Sequence, residues 1–157
     1  RAGWTRKKLK GTTMGMCYGA AEGEFAGMSM SGFFGMKRPQ RYGIMPAMTA
    51  NRIQYVFGIK GPSMTCETAC SSALSATCVI HHWMRPQMPH QRQKRTMSQQ
   101  VPHCLAGGAN AAFNANTMIG FCGAHMLSIQ GRCFTFDQSG DGFLRAEGIG
   151  AMYYKTS

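Results

Sequence analysis

One stretch of the chain, residues 61–76, constrains the fold more than any other. It reads GPSMTCETACSSALSA: a Gly-Pro turn, a short run typical of a β-strand, a cysteine and then a series of small residues. This pattern predicts a strand that ends near Glu67 and a helix that runs from Cys70 to about Met84. Because the helix is small on every side, we expect it to lie inside a packed domain, with Cys70 mostly buried at its N-terminus.

The remaining segments alternate between the two kinds of element. Strands are predicted at 12–21, at 103–113 and in the final GAMYYK. The apolar spacing of 46–59 predicts a helix that ends near Gly58, and NANTMIGFCGAHML reads as a helix or turn. Residues 23–46 read as irregular, and Arg85 to Pro102 as a polar loop. The alternation predicts an α/β fold whose strands are buried on both faces.

Length and composition are those of one domain. The 157 residues are 44% hydrophobic and only 15% charged, and no apolar run approaches the ~18 residues of a membrane span. The chain begins with Arg1 and ends in what reads as a shortened strand. We therefore expect an excerpt of a longer protein, which exposes apolar surface and is poorly soluble or partly disordered when expressed alone.

The net charge of +11 raises the question of nucleic-acid binding. The basic residues are scattered apart from RKKLK (6–10) and RQKR (92–95), and no aromatic side chains interleave with either cluster. Stacking platforms for nucleic-acid bases need such aromatic residues. The charge therefore favours a solvated basic face that attracts an acidic partner, and we predict no nucleic-acid partner.

The seven cysteines contain no CxxC pair, and their number is odd. They are typical of buried thiols in a reducing compartment. No histidine or cysteine spacing predicts a metal site. Residues 137–148 open like a calcium loop, but Gly148 stands where the loop needs a bidentate glutamate, and Glu147 comes one residue early. We therefore predict no bound metal and no bound cofactor.

A cysteine between a strand and a helix has a specific chemical capability. The helix N-terminus favours the thiolate form, and its free N–H groups can hold an oxyanion formed when the sulfur attacks a carbonyl. The same arrangement of strand, sharp turn and helix carries serine nucleophiles. A buried structural cysteine fits the spacing as well, so spacing alone leaves both interpretations of Cys70 open.

Three ordered blocks decide between them: NRIQYVFGIKGPSMTCETACSSALSA, LAGGANAAF and MLSIQGRCFTFDQSGDGFLRAEGIGAMYYK. Together they resemble the active-site region of β-ketoacyl synthases, especially the ketosynthase domains of polyketide synthases. Residues 1–49 match only weakly. The segments CGAHML and FDQSGDGFLR are most similar in sequence to ketosynthases of the dinoflagellate type.

The resemblance implies a thiolase-like layered α/β/α/β/α fold, of which residues 1–157 are a fragment, and a homodimer at full length. It implies that Cys70 takes an acyl chain as a thioester from an acyl carrier protein, whose phosphopantetheine arm delivers it. A malonyl thioester on the carrier then loses carbon dioxide and condenses with the acyl group. The backbone N–H of Cys70 would form half of the oxyanion hole. The resemblance places this reaction in polyketide or fatty acid biosynthesis, in the cytoplasm or a plastid.

The chain departs from the family pattern at several positions. Glu67 replaces the usual aspartate, Cys78 replaces a frequent histidine, and Arg85 to Pro102 reads as an inserted surface loop. The family's two catalytic histidines belong to motifs downstream of DGFLRAEG, and none of the five histidines here lies in either motif. We therefore expect this fragment alone to be inactive.

Two alternatives stay open beside an active ketosynthase. One is another acyltransferase of the same fold, such as a thiolase or a chalcone-synthase-like enzyme. The ETACSS motif and the GPS motif before it disfavour this alternative. The other is a non-catalytic ketosynthase-like scaffold or chain-length partner. Such partners usually lack the cysteine, so the presence of Cys70 disfavours this alternative too.

Overall fold

A computed structural model describes residues 3–20, 45–85 and 101–156. The elements in chain order are α1 (Arg6–Leu9), β1 (Gly15–Gly19), α2 (Met48–Phe57), β2 (Ser63–Cys66), α3 (Ser72–Met84), β3 (His103–Asn110), α4 (Ala115–Gly123) and β4 (Gly148–Lys155). The predicted alternation of strands and helices is confirmed. Nearly all of the predicted irregular segment 23–46 and most of the predicted loop between Arg85 and Pro102 lie outside the described residues.

The four strands form one mixed sheet in the order β2-β1-β3-β4. The first three strands are parallel, and β4 runs antiparallel to β3, with His103 opposite Lys155 at one end and Asn110 opposite Gly148 at the other. The carboxyl ends of the three parallel strands therefore meet at one edge of the sheet. Within the three described segments, no helix is long and apolar enough to cross a membrane.

Helices cover both faces of the sheet, because side chains alternate between the faces along each strand. On one face, Cys17, Cys104 and Ala106 pack against Ala76 and Ile80 of α3. The other face packs against α1 and α2, in a cluster formed by Met14, Met16, Ile59 and the partly buried Trp4, Leu9, Ile53, Phe57, Leu105 and Tyr153. The described part of the chain is thus a three-layer α/β/α unit.

The prediction that the strands are buried on both faces is correct for β1 and wrong for β4. All five residues of β1 are buried, whereas β4 is mostly exposed, with Ile149 83% and Met152 57% accessible. β1 is central and flanked by a strand on each side. β4 is an edge strand that pairs only with β3 in the part of the chain that the structure describes.

The predicted end of α2 is confirmed at Gly58. Its φ of 67° lies in the left-handed region, and its N–H group caps the carbonyl groups of the last helical turn. One turn earlier, the buried Gln54 side chain donates to the carbonyl oxygens of Gly61 (3.1 Å) and Pro62 (3.0 Å). These bonds join α2 to the Gly-Pro turn that leads into β2.

Glycine at the end of β1 allows α3 to approach the sheet closely. A Cβ atom at Gly19 would collide with the backbone of Ser72 and Ala73, and one at Gly108 would lie 3.0 Å from the Ala73 side chain. The first turn of α3 therefore rests on the backbone of two neighbouring strands. This contact fixes where the turn between β2 and α3 lies.

We expect Gly19→Ala to lower the free energy of unfolding by roughly 1–3 kcal/mol, because the added methyl group meets backbone atoms that cannot rotate away. Gly150→Ala is the matched control: it adds the same methyl group on β4, where no atom lies within 4 Å. Urea unfolding of both variants measures the difference. Equal midpoints for the two would contradict the close approach.

Candidate active site around Cys70

Cys70 lies in the turn that joins β2 to α3, at the carboxyl edge of the three parallel strands. In open α/β sheets this edge is where ligands bind, because the loops that leave parallel strands converge there. The strand ends at Cys66, within one residue of the predicted Glu67. The placement of Cys70 between strand and helix is as predicted.

Two details of the prediction are wrong. The helix begins at Ser72 rather than at Cys70, and Cys70 is exposed rather than mostly buried. Ser71 is the N-cap residue of the helix, and the turn before it contains Ala69 with a φ of 53°, in the left-handed region. Cys70 is exposed because the turn projects beyond the sheet edge into an open cleft.

The expected burial of α3 on every side is also wrong. Only one side of this helix packs on the sheet, through Ser72, Ala76 and Ile80. The opposite side faces solvent in the described part of the chain, where Leu74 is 67% accessible. Small residues are nevertheless required at the first turn, because Ala73 meets the glycine backbone of β1 and β3 there.

A network of hydroxyl groups holds the Cys70 turn in place. The Ser72 hydroxyl accepts from the Thr68 backbone N–H (2.8 Å) and donates to the Ala69 carbonyl (2.6 Å). The Ser71 hydroxyl donates to the Thr68 carbonyl (2.7 Å), and the Thr68 and Ser75 hydroxyls lie 2.8 Å apart. Every residue of this network is within five positions of Cys70, so residues 68–75 carry their own positioning groups.

The same network affects the N-terminus of α3. Ser71 is the N-cap residue, but its hydroxyl is bonded to Thr68 and makes no capping bond to the helix. The side chain of the N-cap therefore does not satisfy the first-turn N–H groups. These groups and the helix dipole favour negative charge at this end, where the Cys70 sulfur lies. An oxyanion formed on an acyl group attached to the sulfur is the kind of charge that a helix N-terminus stabilises.

Cys70 opens into a cleft of about 890 Å³. The lining is mostly apolar side chains and glycine backbone, and Arg145 is its one charged side chain among the described residues. The Arg145 guanidinium lies 5.2 Å from the centre of the Phe121 ring, which itself packs edge-to-face on Phe143. Such a surface can accommodate an elongated, mainly apolar ligand beside the sulfur.

Glu147, which the calcium-loop comparison excluded as a metal ligand, has a structural role at this cleft. Its carboxylate accepts from the Ala112 backbone N–H (2.8 Å), and Asn110 donates to the Ala146 carbonyl (2.6 Å). The two bonds tie the loop before β4 to the end of β3. No local sequence pattern predicts this role, because the partners are 35 and 36 residues apart.

The histidines of the described segments lie away from the Cys70 cleft. His103 is on the opposite face of the sheet, where its Nδ1 atom is 2.7 Å from the Tyr153 hydroxyl. His81 and His82 are in the last turn of α3, and His125 follows α4. Across residues 3–20, 45–85 and 101–156, no group of three His, Cys, Asp or Glu side chains could hold a metal ion.

Two other cysteines have the opposite environment. Cys17 and Cys104 are fully buried under α3. Burial raises the pKa of Cys104 to about 11, and burial together with the neighbouring Cys66 thiol raises that of Cys17 to about 12. Both thiols therefore remain protonated at neutral pH, as expected for core residues.

The raised pKa values predict a loss of stability at alkaline pH. Unfolded thiols lose their protons near pH 9, whereas folded Cys17 and Cys104 keep theirs up to pH 11–12. The free energy of unfolding should therefore fall as pH rises from 9 towards 12. Because tyrosines and lysines also titrate there, the measurement compares the native chain with Cys104→Ala, which should show a shallower fall. Parallel curves would contradict the assignment.

A second prediction concerns the hydroxyl network. Ser72→Ala leaves the Thr68 N–H without the acceptor that it has in the structure, so we expect a loss of about 1–3 kcal/mol in urea unfolding. Thr77→Ala is the control, since its hydroxyl bonds only to the Ala73 carbonyl of its own helix (3.0 Å). A Ser72→Ala loss no larger than that of the control would show that the network does not hold the turn.

Comparisons with known proteins agree with this geometry. The family described as "Beta-ketoacyl synthase, N-terminal domain" matches residues 1–156. Cyclo-acetoacetyl-L-tryptophan synthase of Aspergillus oryzae is 31% identical over 155 residues, 99% of this chain and 4% of that protein. A highly reducing polyketide synthase of Aspergillus nomiae is 41% identical over 110 residues, 68% of this chain and 4% of that protein.

Solved structures show the same relationship. The ketosynthase from module 6 of the bacillaene synthase of Bacillus subtilis 168 superposes with a TM-score of 0.76 at 26% identity, covering 99% of this chain and 24% of that one. An oxazolomycin ketosynthase domain of Streptomyces albus superposes with a TM-score of 0.75 at 27% identity, covering 97% of this chain and 25% of that one.

The chain thus spans about a quarter of the solved ketosynthases and a few per cent of the curated synthases that it matches. The superposition confirms the predicted thiolase-like fold as a fragment, whereas the dinoflagellate-type assignment stays a prediction. With the family model matching residues 1–156 and the fold superposing on solved ketosynthases, the chain belongs to the β-ketoacyl synthase family, in the N-terminal domain of ketosynthases of the polyketide synthase type.

Proposed function

We propose that Cys70 is the nucleophile of a ketosynthase that condenses an acyl thioester with a malonyl unit held on an acyl carrier protein. The observation that carries this proposal is the position of Cys70, exposed to an apolar cleft beside the N-terminus of α3. Of the seven cysteines, this one alone lines that cleft.

The reaction follows from the chemistry of this position. The Cys70 thiolate attacks the carbonyl carbon of the incoming thioester, and the carrier's thiol leaves with the acyl group transferred to sulfur. A malonyl thioester then loses carbon dioxide, and the resulting carbanion attacks the acyl-Cys70 carbonyl. A carbon–carbon bond forms, the carbon–sulfur bond breaks, and the Cys70 thiolate is regenerated with a β-ketoacyl product on the carrier.

The first turn of α3 would contribute to both carbonyl attacks. Each attack places a negative charge on the carbonyl oxygen, and N–H groups at a helix N-terminus stabilise such a charge. We propose that the Cys70 backbone N–H is one donor of this oxyanion hole. The Thr68–Ser75 hydroxyl network would keep the sulfur and the donor in fixed relative positions.

The cleft would hold the acyl chain and the end of the carrier's phosphopantetheine arm. Its apolar lining suits an alkyl chain, and glycine backbone at Gly107 and Gly108 leaves room beside the sulfur. The net charge of +11 would attract a carrier protein, since such carriers are typically acidic. We propose no bound cofactor or metal, and no nucleic-acid partner.

We propose that the two histidines that act as acid–base partners of Cys70 come from outside these 157 residues, and that the complete enzyme is a homodimer. Location in a reducing compartment, the cytoplasm or a plastid, would keep Cys70 a free thiol. We expect polyketide rather than fatty acid synthesis, because the relatives reported above are polyketide synthases and related enzymes. The exposed Cys70 in a formed cleft favours catalysis over a scaffold role.

In the complete enzyme, Cys70→Ala should lower condensation by on the order of 10⁴-fold or more, because no other described thiol reaches the cleft. Cys70→Gln should also abolish condensation but leave decarboxylation of malonyl thioesters, since a neutral amide mimics the acylated cysteine. Incubation with a radiolabelled acyl thioester, followed by peptide mapping, locates the acyl group.

Cys78→Ala is the matched control. Cys78 is exposed like Cys70 but lies two turns along α3 and faces a different cleft, so this variant should keep most activity. Acylation at Cys78 or Cys66 would contradict the proposal. A variant of either proposed catalytic histidine should lose condensation but keep acylation of Cys70, because the histidines act after the acyl transfer.

A further inference from the structure

A pair of thiols beneath the Cys70 turn has no part in the proposed reaction. The sulfur atoms of Cys17 and Cys66 lie 3.4 Å apart, on the neighbouring parallel strands β1 and β2. Cys17 is fully buried and Cys66 is half-buried, and both pack into the apolar cluster under α3. No sequence signal indicated this pair, because its members are 49 residues apart.

We propose that Cys17 and Cys66 form a reversible disulfide when the protein meets a hydroperoxide. A disulfide requires a sulfur–sulfur distance of about 2.05 Å, so the two atoms must approach by only about 1.3 Å. Cys17 lies opposite Met64 and Cys66 opposite Gly19, so the two cysteines are diagonal neighbours and the bond also requires a shift of the backbone at the end of β2. All seven cysteines are free in the structure, which is the reduced form.

The oxidation proceeds in two balanced steps. Cys66, the more accessible thiol, attacks the O–O bond of the peroxide, becomes a sulfenic acid and releases water or an alcohol. The Cys17 sulfur then attacks the Cys66 sulfur, the S–S bond forms, and the sulfenic oxygen leaves as water with the Cys17 proton. The two thiols together lose two electrons to the peroxide, and a small thiol reductant reverses the bond by exchange.

A disulfide between Cys17 and Cys66 would constrain the neighbouring Cys70 turn. Cys66 is the last residue of β2, four positions before Cys70, and Cys17 lies two positions before Gly19, on which α3 rests. The disulfide would covalently join the two strands from which the Cys70 turn and the first turn of α3 are positioned. Formation of the bond itself requires no condensing activity.

Tryptic mapping of the complete protein tests the proposal. After treatment with hydrogen peroxide and blocking of free thiols, digestion without reductant should yield a cross-link between residues 11–37, which contain Cys17, and residues 61–92, which contain Cys66. Dithiothreitol should release both peptides. Because 61–92 also contains Cys70 and Cys78, variants must identify the linked residue.

Cys66→Val should abolish the cross-link, whereas Cys70→Ala should keep it at the wild-type yield, and this contrast needs no active enzyme. A cross-link from 11–37 to 96–132 would assign the partner of Cys17 to the buried Cys104 or to Cys122 and overturn the proposal. A cross-link that survives Cys66→Val, or no cross-link at any peroxide concentration that oxidises Cys70, would overturn it as well. Circular dichroism of Cys66→Val confirms that a lost cross-link is not lost folding.

Discussion

The contact between the first turn of α3 and the backbone of β1 determines the position of everything around Cys70. Gly19 has no side chain, so Ser72 and Ala73 lie against its backbone, and Gly108 allows the same approach from β3. Because the first turn of α3 is held this close to two strands, the position of the Cys70 turn depends on backbone packing at Ser72 and Ala73, two and three residues away.

The turn itself is stabilised by polar bonds of short range. Ala69 adopts a left-handed φ that costs a non-glycine residue about 1–3 kcal/mol, and the two hydrogen bonds of the Ser72 hydroxyl span that residue. Bonds of about 1 kcal/mol each are enough to offset such a cost. A strained turn held by its own hydroxyls can project into a cleft without a covering element, which explains how Cys70 is exposed and fixed at once.

The features that could be predicted from sequence have local causes. Glycine at position 58 predicts a helix end because only a left-handed residue closes that turn, and the GPS run predicts a strand start. The left-handed Ala69 has no such signal, so the predicted helix began two residues early. The role of Glu147 and the proximity of Cys17 to Cys66 depend on chain segments 35 and 49 residues away, which no local pattern reports. The exposed apolar residues of β4 fit the expectation of uncovered surface, while poor solubility stays a prediction.

The cysteines of this sheet differ in chemical environment according to their position on it. Cys17 and Cys104 point under α3, where removal from water holds their pKa values near 12 and 11 and keeps them neutral. Cys70 follows the same sheet by a few residues but lies beyond its edge, beside backbone N–H groups that favour negative charge. Cys66 is between these extremes, at the end of its strand and half-buried. The exposure of these thiols therefore rises from Cys17 and Cys104 in the core, through Cys66 at the end of its strand, to Cys70 in the cleft.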